Sequence, residues 1–272
     1  MPFVLGVKEK SIKKLLHEHQ HLTDDYHWPW LDESKQLSAK NANKFLLGAR
    51  IDYQVSANYA WESARILTEI IMRDPKDLWG AIKMMKLQEL KEEFCGMCHN
   101  NGCKRCAEGH ELIKPKDSDI MRHKTLHRFK NQAAEKVWKL AHNILEYHSG
   151  DARNIWRNKE PIAIMERLAD VGFRFEQSNM IVGALIDTGH ITGKSKMYAS
   201  INVHRVLGRV FVGGDVLPDE AHRLADDIEL GNAWKIDGVL YALGQKVCKN
   251  KNPHCQECFL KPKCKYYNDN ST

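Results

Sequence analysis

Cys248-Lys-Asn-Lys-Asn-Pro-His-Cys255-Gln-Glu-Cys258-Phe-Leu-Lys-Pro-Lys-Cys264 places four thiols within 17 residues, at spacings of x6, x2 and x5. The stretch follows a helical run ending in Tyr241-Ala-Leu-Gly-Gln245. Four soft thiolates suit either zinc or an iron–sulfur cluster, and spacing alone does not choose between them. A second set, Cys95-x2-Cys98-x4-Cys103-x2-Cys106, holds the other four of the eight cysteines, with Gly96 and Gly102 allowing tight turns. Cysteines gathered into two such groups look like ligand sets rather than a disulfide framework. Paired C-x2-C knuckles are the usual zinc design, so zinc is expected at Cys95, Cys98, Cys103 and Cys106, ahead of a second cluster. Cys95-Gly-Met-Cys98-His99 also matches a haem-attachment string, but the second cysteine pair directly behind it argues against that use.

Beyond the cysteines, the 272 residues are 43% apolar, with Gly 17 and Pro 8, an ordinary globular composition. The opening MPFVLGVKEKSIKKLL reaches charge after about five apolar residues. That excludes an export signal or spanning helix, and no other segment approaches membrane length. The expectation is a protein of the cytoplasm and nucleoid, or of a nucleus, not secreted, with thiols kept reduced. The net charge of +6 is compatible with a polyanionic partner.

Apolar residues recur at three and four from Asn58 to Met72 (Ala60, Trp61, Ala64, Leu67, Ile70, Ile71) and from Gln132 to His148 (Val137, Leu140, Ala141, Ile144, Leu145). Gly150 stops the second run. Alternating strand patterns are scarce, so the fold class is all-α; the Arg209-Val-Phe-Val-Gly-Gly stretch reads as a helix end and its turn. Periodicity fails over residues 94–118, which read as an inserted loop around the first cysteine set, and again over Thr188–Ser200.

The cysteine spacing of 248–264, with Pro253 two residues before Cys255 and Gly244 one turn before Cys248, resembles the cluster loop of endonuclease III and the adenine-mismatch glycosylases. These belong to the helix-hairpin-helix DNA glycosylase superfamily. The resemblance implies a [4Fe–4S] cluster on Cys248, Cys255, Cys258 and Cys264 that is not the catalyst. It shapes a loop whose basic residues, here Lys249 and Lys251, meet DNA phosphates; the alternative for each is an ordinary solvated lysine. Asn43–Gln54 resembles the family's first barrel helix, which ends in a glutamine that enters the space left by a flipped base. Gln54 takes that role by resemblance, beside the plainer role of a polar helix end.

The family hairpin, roughly L-P-G-V-G-x-K-T-A, offers backbone N–H groups to a phosphate at a helix N-terminus. In Leu168-Ala-Asp-Val-Gly172-Phe-Arg-Phe-Glu-Gln-Ser-Asn179, only Leu168, Val171 and Gly172 fit it well, and Asp170 brings negative charge to the first glycine's place. The hairpin lysine that forms a Schiff base in bifunctional members is replaced by Arg174 or Glu176, depending on the register chosen. Neither forms an imine. In Ser200-Ile-Asn202-Val203-His204-Arg205-Val206, which resembles the family's D-x-N-V-x-R-V, Ser200 stands where an aspartate stabilises the departing sugar's positive charge. Asn202 and Arg205 keep the motif's DNA-facing positions. Asp187 is the nearest carboxylate in sequence that could take over, or else a polar helix end before Gly189. Lys194 and Lys196 are alternative amines, or solvated loop lysines.

These readings give a two-domain, endonuclease III-like fold. Residues 43–200 form a six-helix barrel with the helix-hairpin-helix, interrupted by a metal knuckle at 94–118, and residues 1–42 with 201–272 form the cluster domain. The expected partner is double-stranded DNA, bound by a monomer, with no membrane and no small-molecule substrate. The expected activity is monofunctional excision of a damaged, mismatched or modified base by base flipping. The rival is a DNA lesion or structure binder on the same fold without that chemistry.

Overall fold

The computed structural model describes residues 7–23, 27–31, 36–71, 77–96, 125–194, 197, 200–227 and 233–270. Every regular element among them is helical, as the periodicity predicts. The chain divides into two compact units, Pro29–Gln177 and Met1–Trp28 with Ser178–Thr272.

In the first unit, α2 (Ala39–Ile51) starts at Ser38, whose hydroxyl accepts from the Asn41 N–H at 3.1 Å. It follows α1 (Val7–Glu18) of the other unit in chain order. From Phe45 to Ile51 every residue of α2 is buried, which makes it the central helix of this unit. α3 (Ala57–Ile71) crosses it where Gly48 removes a side chain. A Cβ at Gly48 would lie 2.1 Å from the Trp61 ring, so only glycine admits the indole. α4 (Leu78–Met84), α5 (Leu87–Cys95), α6 (Lys130–His148), α7 (Arg153–Trp156) and α8 (Pro161–Asp170) complete the unit. Where the described chain resumes after α5, at Thr125, the Leu126 N–H donates to the Phe94 carbonyl at 3.0 Å.

One buried side chain ties α2 to the start of α7. Asn43 accepts from the Ala152 N–H at 2.8 Å and donates to the Gly150 carbonyl at 2.9 Å, satisfying backbone groups that follow the end of α6.

The second unit gathers α1, the later part of α9 (Phe175–Asp187), α10 (Ile201–Leu207), α11 (Pro218–Asp227), α12 (Ala233–Lys246) and α13 (Lys265–Asn270). The unit boundary falls within α9, between Gln177 and Ser178. Its core joins Ile12 and Leu16 of α1 to Val203, Val206, Leu240 and Leu243. α10 runs on into a single π turn, Gly208–Val212, that ends at Gly213 with φ 93°. Gly244 lets α12 approach α10 closely, since a Cβ there would lie 2.8 Å from the Asn202 backbone. The His19 ring, just past α1, stacks on Phe259 with centroids 3.8 Å apart, docking the N-terminal helix on the cysteine loop.

Replacing Asn43 with Ala strands two backbone groups, each worth about 1–3 kcal/mol when buried and unpaired. Urea unfolding of Asn43→Ala is expected to show a loss of about 2–4 kcal/mol, and a loss below about 0.5 kcal/mol would show that water replaces both bonds.

Candidate functional site

After α12 ends, the chain turns into the cysteine loop and its carbonyls lose their helical partners. Two arginines one turn apart supply donors. Arg205 donates from Nε to the Cys248 carbonyl at 2.7 Å, and from Nη2 to the Gly244 carbonyl at 2.8 Å and to Asn202 Oδ1 at 2.7 Å. Arg209, 6% exposed, donates to the carbonyls of Lys249 at 2.7 Å and Asn250 at 3.1 Å, with Nη1 also 3.6 Å from Cys248 Sγ. Its guanidinium lies over the Tyr266 ring, and its Nε is 3.3 Å from Asp215. The loop closes when the His254 N–H donates to the Val247 carbonyl at 2.9 Å. Lys249 and Lys251 are exposed at its rim, so Asn202 and Arg205 brace the loop from behind while the lysines face water.

Cys248, Cys255, Cys258 and Cys264 form no disulfide among the described residues and line one cavity, walled by Val206, Val210, Leu243 and Tyr266. Burial pushes the Cys258 thiol up to about 11 and raises Cys248 and Cys264 as well, the latter two against hydrogen bonds that pull the other way. Among the described residues, no three His, Cys, Asp or Glu side chains converge on a point where a single ion would sit. The donor set is thus four sulfurs around one cavity with apolar walls. Of the first cysteine set, Cys95 is buried at the end of α5, while Cys98, Cys103 and Cys106 lie outside the described residues.

In the first unit, α2 ends at Ile51, three residues before Gln54. Gln54 is exposed, with φ 55°, the left-handed region that a side-chain-bearing residue adopts at a cost. The turn is held by Gln177, a buried side chain whose Nε2 donates to the Ala49 carbonyl at 2.9 Å and lies 3.4 Å from that of Asp52. Asp52 is partly buried, and burial alone pushes its carboxyl up to about 7.

The hairpin turn follows α8. The N–H of Gly172 donates to the Ala169 carbonyl at 2.8 Å and that of Phe173 to the Leu168 carbonyl at 2.9 Å, with Gly172 at φ 96°. This paired bonding ends α8 in a Schellman motif and makes glycine necessary at 172. Arg50, buried on α2, donates from Nη1 to the Gly172 carbonyl at 2.6 Å, and its guanidinium lies 5.2 Å from the Phe173 ring centroid. Beside it, Lys136 of α6 sits 3.4 Å from the Tyr53 ring centroid, and Tyr53 stacks on His127 at 4.4 Å. Desolvation first, then Arg50 and Arg174, pull the Lys136 amine below the usual lysine range. Sequence reasoning missed Arg50, Lys136 and His127. They come from separate helices and loops, and no local spacing links them.

Ser200 caps α10, its carbonyl accepting from the His204 N–H at 2.9 Å, while its own hydroxyl is buried without a partner among the described residues. Asp187 ends α9 two residues before Gly189, and Lys194 is an exposed loop lysine; Lys196 lies outside the described residues.

No family model matches the chain. In sequence it is similar to endonuclease III of Thermotoga maritima, 24% identical over 156 residues, or 57% of this chain. The chain spans 65% of the length of that relative, just under two thirds. In structure it is similar to a thermostable thymine-DNA glycosylase, with TM-score 0.57, 14% identity, and 96% of this chain and 97% of that one covered. It is also similar to endonuclease III trapped as a covalent intermediate with DNA, with TM-score 0.59, 14% identity and coverage of 97% and 99%. In fold the chain is similar to both proteins over nearly its whole length. Among the described residues, no helix is long and apolar enough to cross a membrane.

Folded Asp52 holds its proton up to about pH 7, whereas its ordinary value is 3.8. Between those values the folded state binds more protons than the unfolded state, so Asp52 costs stability as pH rises from about 4 to 7. Asp52→Asn is expected to lose less stability than the parent between pH 5 and pH 8 in urea unfolding. Equal losses in the two proteins would show that the carboxyl is solvated.

Proposed function

We propose that this chain is a DNA glycosylase that binds duplex DNA as a monomer and removes a damaged, mismatched or modified base after flipping it from the stack. The observation that carries the reading is Gln54, exposed in a left-handed turn directly behind the buried end of α2, on a chain with an endonuclease III-like fold. A rigid helix ending in a strained, exposed amide suits a side chain that must replace a base. DNA as the partner fits work in a nucleoid or nucleus.

Cys248, Cys255, Cys258 and Cys264 would hold a [4Fe–4S] cluster. Four sulfurs lining one cavity are the ligand set such a cluster takes. The cluster's part is to shape the loop; Lys249 and Lys251 do the binding, each meeting a phosphate. Zinc is proposed for the knuckle at 94–118, on its spacing alone. The barrel and cluster domains are proposed at 43–200 and at 1–42 with 201–272.

Excision would not use a hairpin amine, since Arg174 and Glu176, both exposed, form no imine. The reading is therefore hydrolytic, monofunctional base removal. Ser200 supplies no negative charge for the sugar cation, which leaves Asp187 as the proposed carboxylate and Lys194 as a secondary candidate. The second reading, a DNA binder without base excision, is favoured by that same neutral hydroxyl.

Incubating the protein with duplexes bearing a panel of altered bases, then cleaving abasic sites with alkali, is expected to give a strand break at one class of base. Tight binding with no break on any duplex would decide for the second reading. Replacing Lys249 and Lys251 with Ala is expected to lower the slope of log K against log salt by about 1.8, at roughly 0.9 per phosphate contact. An unchanged slope would take both lysines off the DNA.

A further inference from the structure

Arg209 touches two of the four cysteines at once. Its Nη1 lies 3.6 Å from Cys248 Sγ, and its backbone carbonyl accepts from the Cys264 thiol at 3.6 Å. It stands in the π turn Gly208–Val212, an irregularity that occurs often at functional sites. The side chain is buried and lines the sulfur cavity, and its guanidinium is held by the carbonyls of Lys249 and Asn250 and by the Tyr266 ring. Its charge therefore cannot swing away from the sulfurs. The carboxylate beside it, Asp215, is 3.3 Å from Nε but 60% exposed, so water screens that partner and the charge is felt on the cavity side.

Two of the other sulfurs are served by backbone donors instead. Cys258 takes the N–H of Leu260, and Cys264 those of Tyr266 and Tyr267. Lys261 also lines the cavity, but its Nζ is hydrogen-bonded to Gln256 and lies over the Tyr267 ring. Among the described residues, Arg209 is the charged side chain that donates to a sulfur of this set.

A [4Fe–4S] core with four thiolates carries net negative charge, and removing an electron makes that charge smaller. A fixed cation at a ligand sulfur stabilises the more negative state, most strongly where burial excludes screening water. A hydrogen bond to the sulfur acts in the same direction. Both effects oppose oxidation.

From this contact we propose that Arg209 is a positioning residue that protects the cluster from one-electron oxidation, through its bond to Cys248 Sγ. The proposal rests on the reading of Cys248, Cys255, Cys258 and Cys264 as a [4Fe–4S] site, and it gives Arg209 a task beyond bracing the loop. Arg205 is the contrast. It lies one turn away and serves as many carbonyls, those of Cys248 and Gly244, yet no bond joins it to a sulfur. Bracing alone would make the two arginines equivalent, and the sulfur bond sets Arg209 apart.

The test uses the whole protein with its cluster in place. Electron paramagnetic resonance of samples poised in ferricyanide–ferrocyanide mixtures counts the clusters that have given one electron to ferricyanide, a step in which no bond breaks and no proton moves. Arg209→Gln is expected to lower the potential of this couple by about 59 mV or more, a tenfold rise in the ratio of oxidised to resting cluster at fixed potential. Arg209→Lys, which keeps the charge, and Arg205→Gln, which removes carbonyl donors, should each raise that ratio less than about threefold. Asp215→Asn, at an exposed position outside the loop, should lower it about twofold by unmasking the guanidinium. Equal shifts in Arg209→Gln and Arg205→Gln, or no shift in Arg209→Gln, would overturn the proposal. Should Arg209→Gln fail to fold or to hold iron, the sign of the Asp215→Asn shift decides: a lower ratio supports the proposal, and an unchanged or higher one overturns it. Iron and sulfide analysis of the parent tests the cluster reading by itself. Iron and sulfide in equal amounts with equal shifts in the two glutamine variants removes the role of Arg209 alone, whereas zinc or no iron in the parent removes the cluster reading and the proposal with it.

Discussion

Two guanidiniums on one helix face hold the cysteine loop in shape. Arg205 and Arg209 stand one turn apart on α10 and its π-turn extension, and together they take the carbonyls of Gly244, Cys248, Lys249 and Asn250. These groups belong to the end of a helix and the irregular chain after it, so no regular element can satisfy them. An arginine carries five N–H donors in a fixed plane, enough to serve several carbonyls and to set their relative positions. Gly244 makes this possible by letting α12 approach α10 until the arginines reach across. The sulfur-lined cavity exists because that brace is present, and the exposed rim of Lys249 and Lys251 is its outer surface.

A second arginine performs the same kind of task in the other unit. Arg50 leaves the buried end of α2 and pins the Gly172 carbonyl, so the turn is fixed both by its own Schellman bonds and by a charge from another helix. Gln177, buried just beyond the turn, reaches back to the end of α2. The chain from Ala49 to Gln54 is therefore held from two sides, which gives the exposed Gln54 a rigid base.

The sequence shows some of this and conceals the rest for physical reasons. Periodicity marks α3 and α6 closely, because an amphipathic helix writes its buried face into the residue order. Gly172 is legible as a turn, since a left-handed position selects glycine. The cysteine spacing is legible because thiols serve one ligand set within a short stretch. Arg205 reads locally as a DNA-facing cation, yet its guanidinium is committed to the loop behind it, a pairing that depends on how α10 and α12 cross. The group of Arg50, Lys136 and His127 is invisible for the same reason. Each is an ordinary residue in its own helix or loop, and only packing brings the three around Tyr53. Residue order thus records the turn and the cysteine loop, while the brace comes from packing.

A structure of the chain bound to a duplex with a stable abasic-site analogue tests the account most directly. The account predicts Gln54 in the gap opposite the unpaired base and Lys249 and Lys251 against DNA phosphates. An analogue seated away from Gln54, with neither lysine near a phosphate, would contradict it.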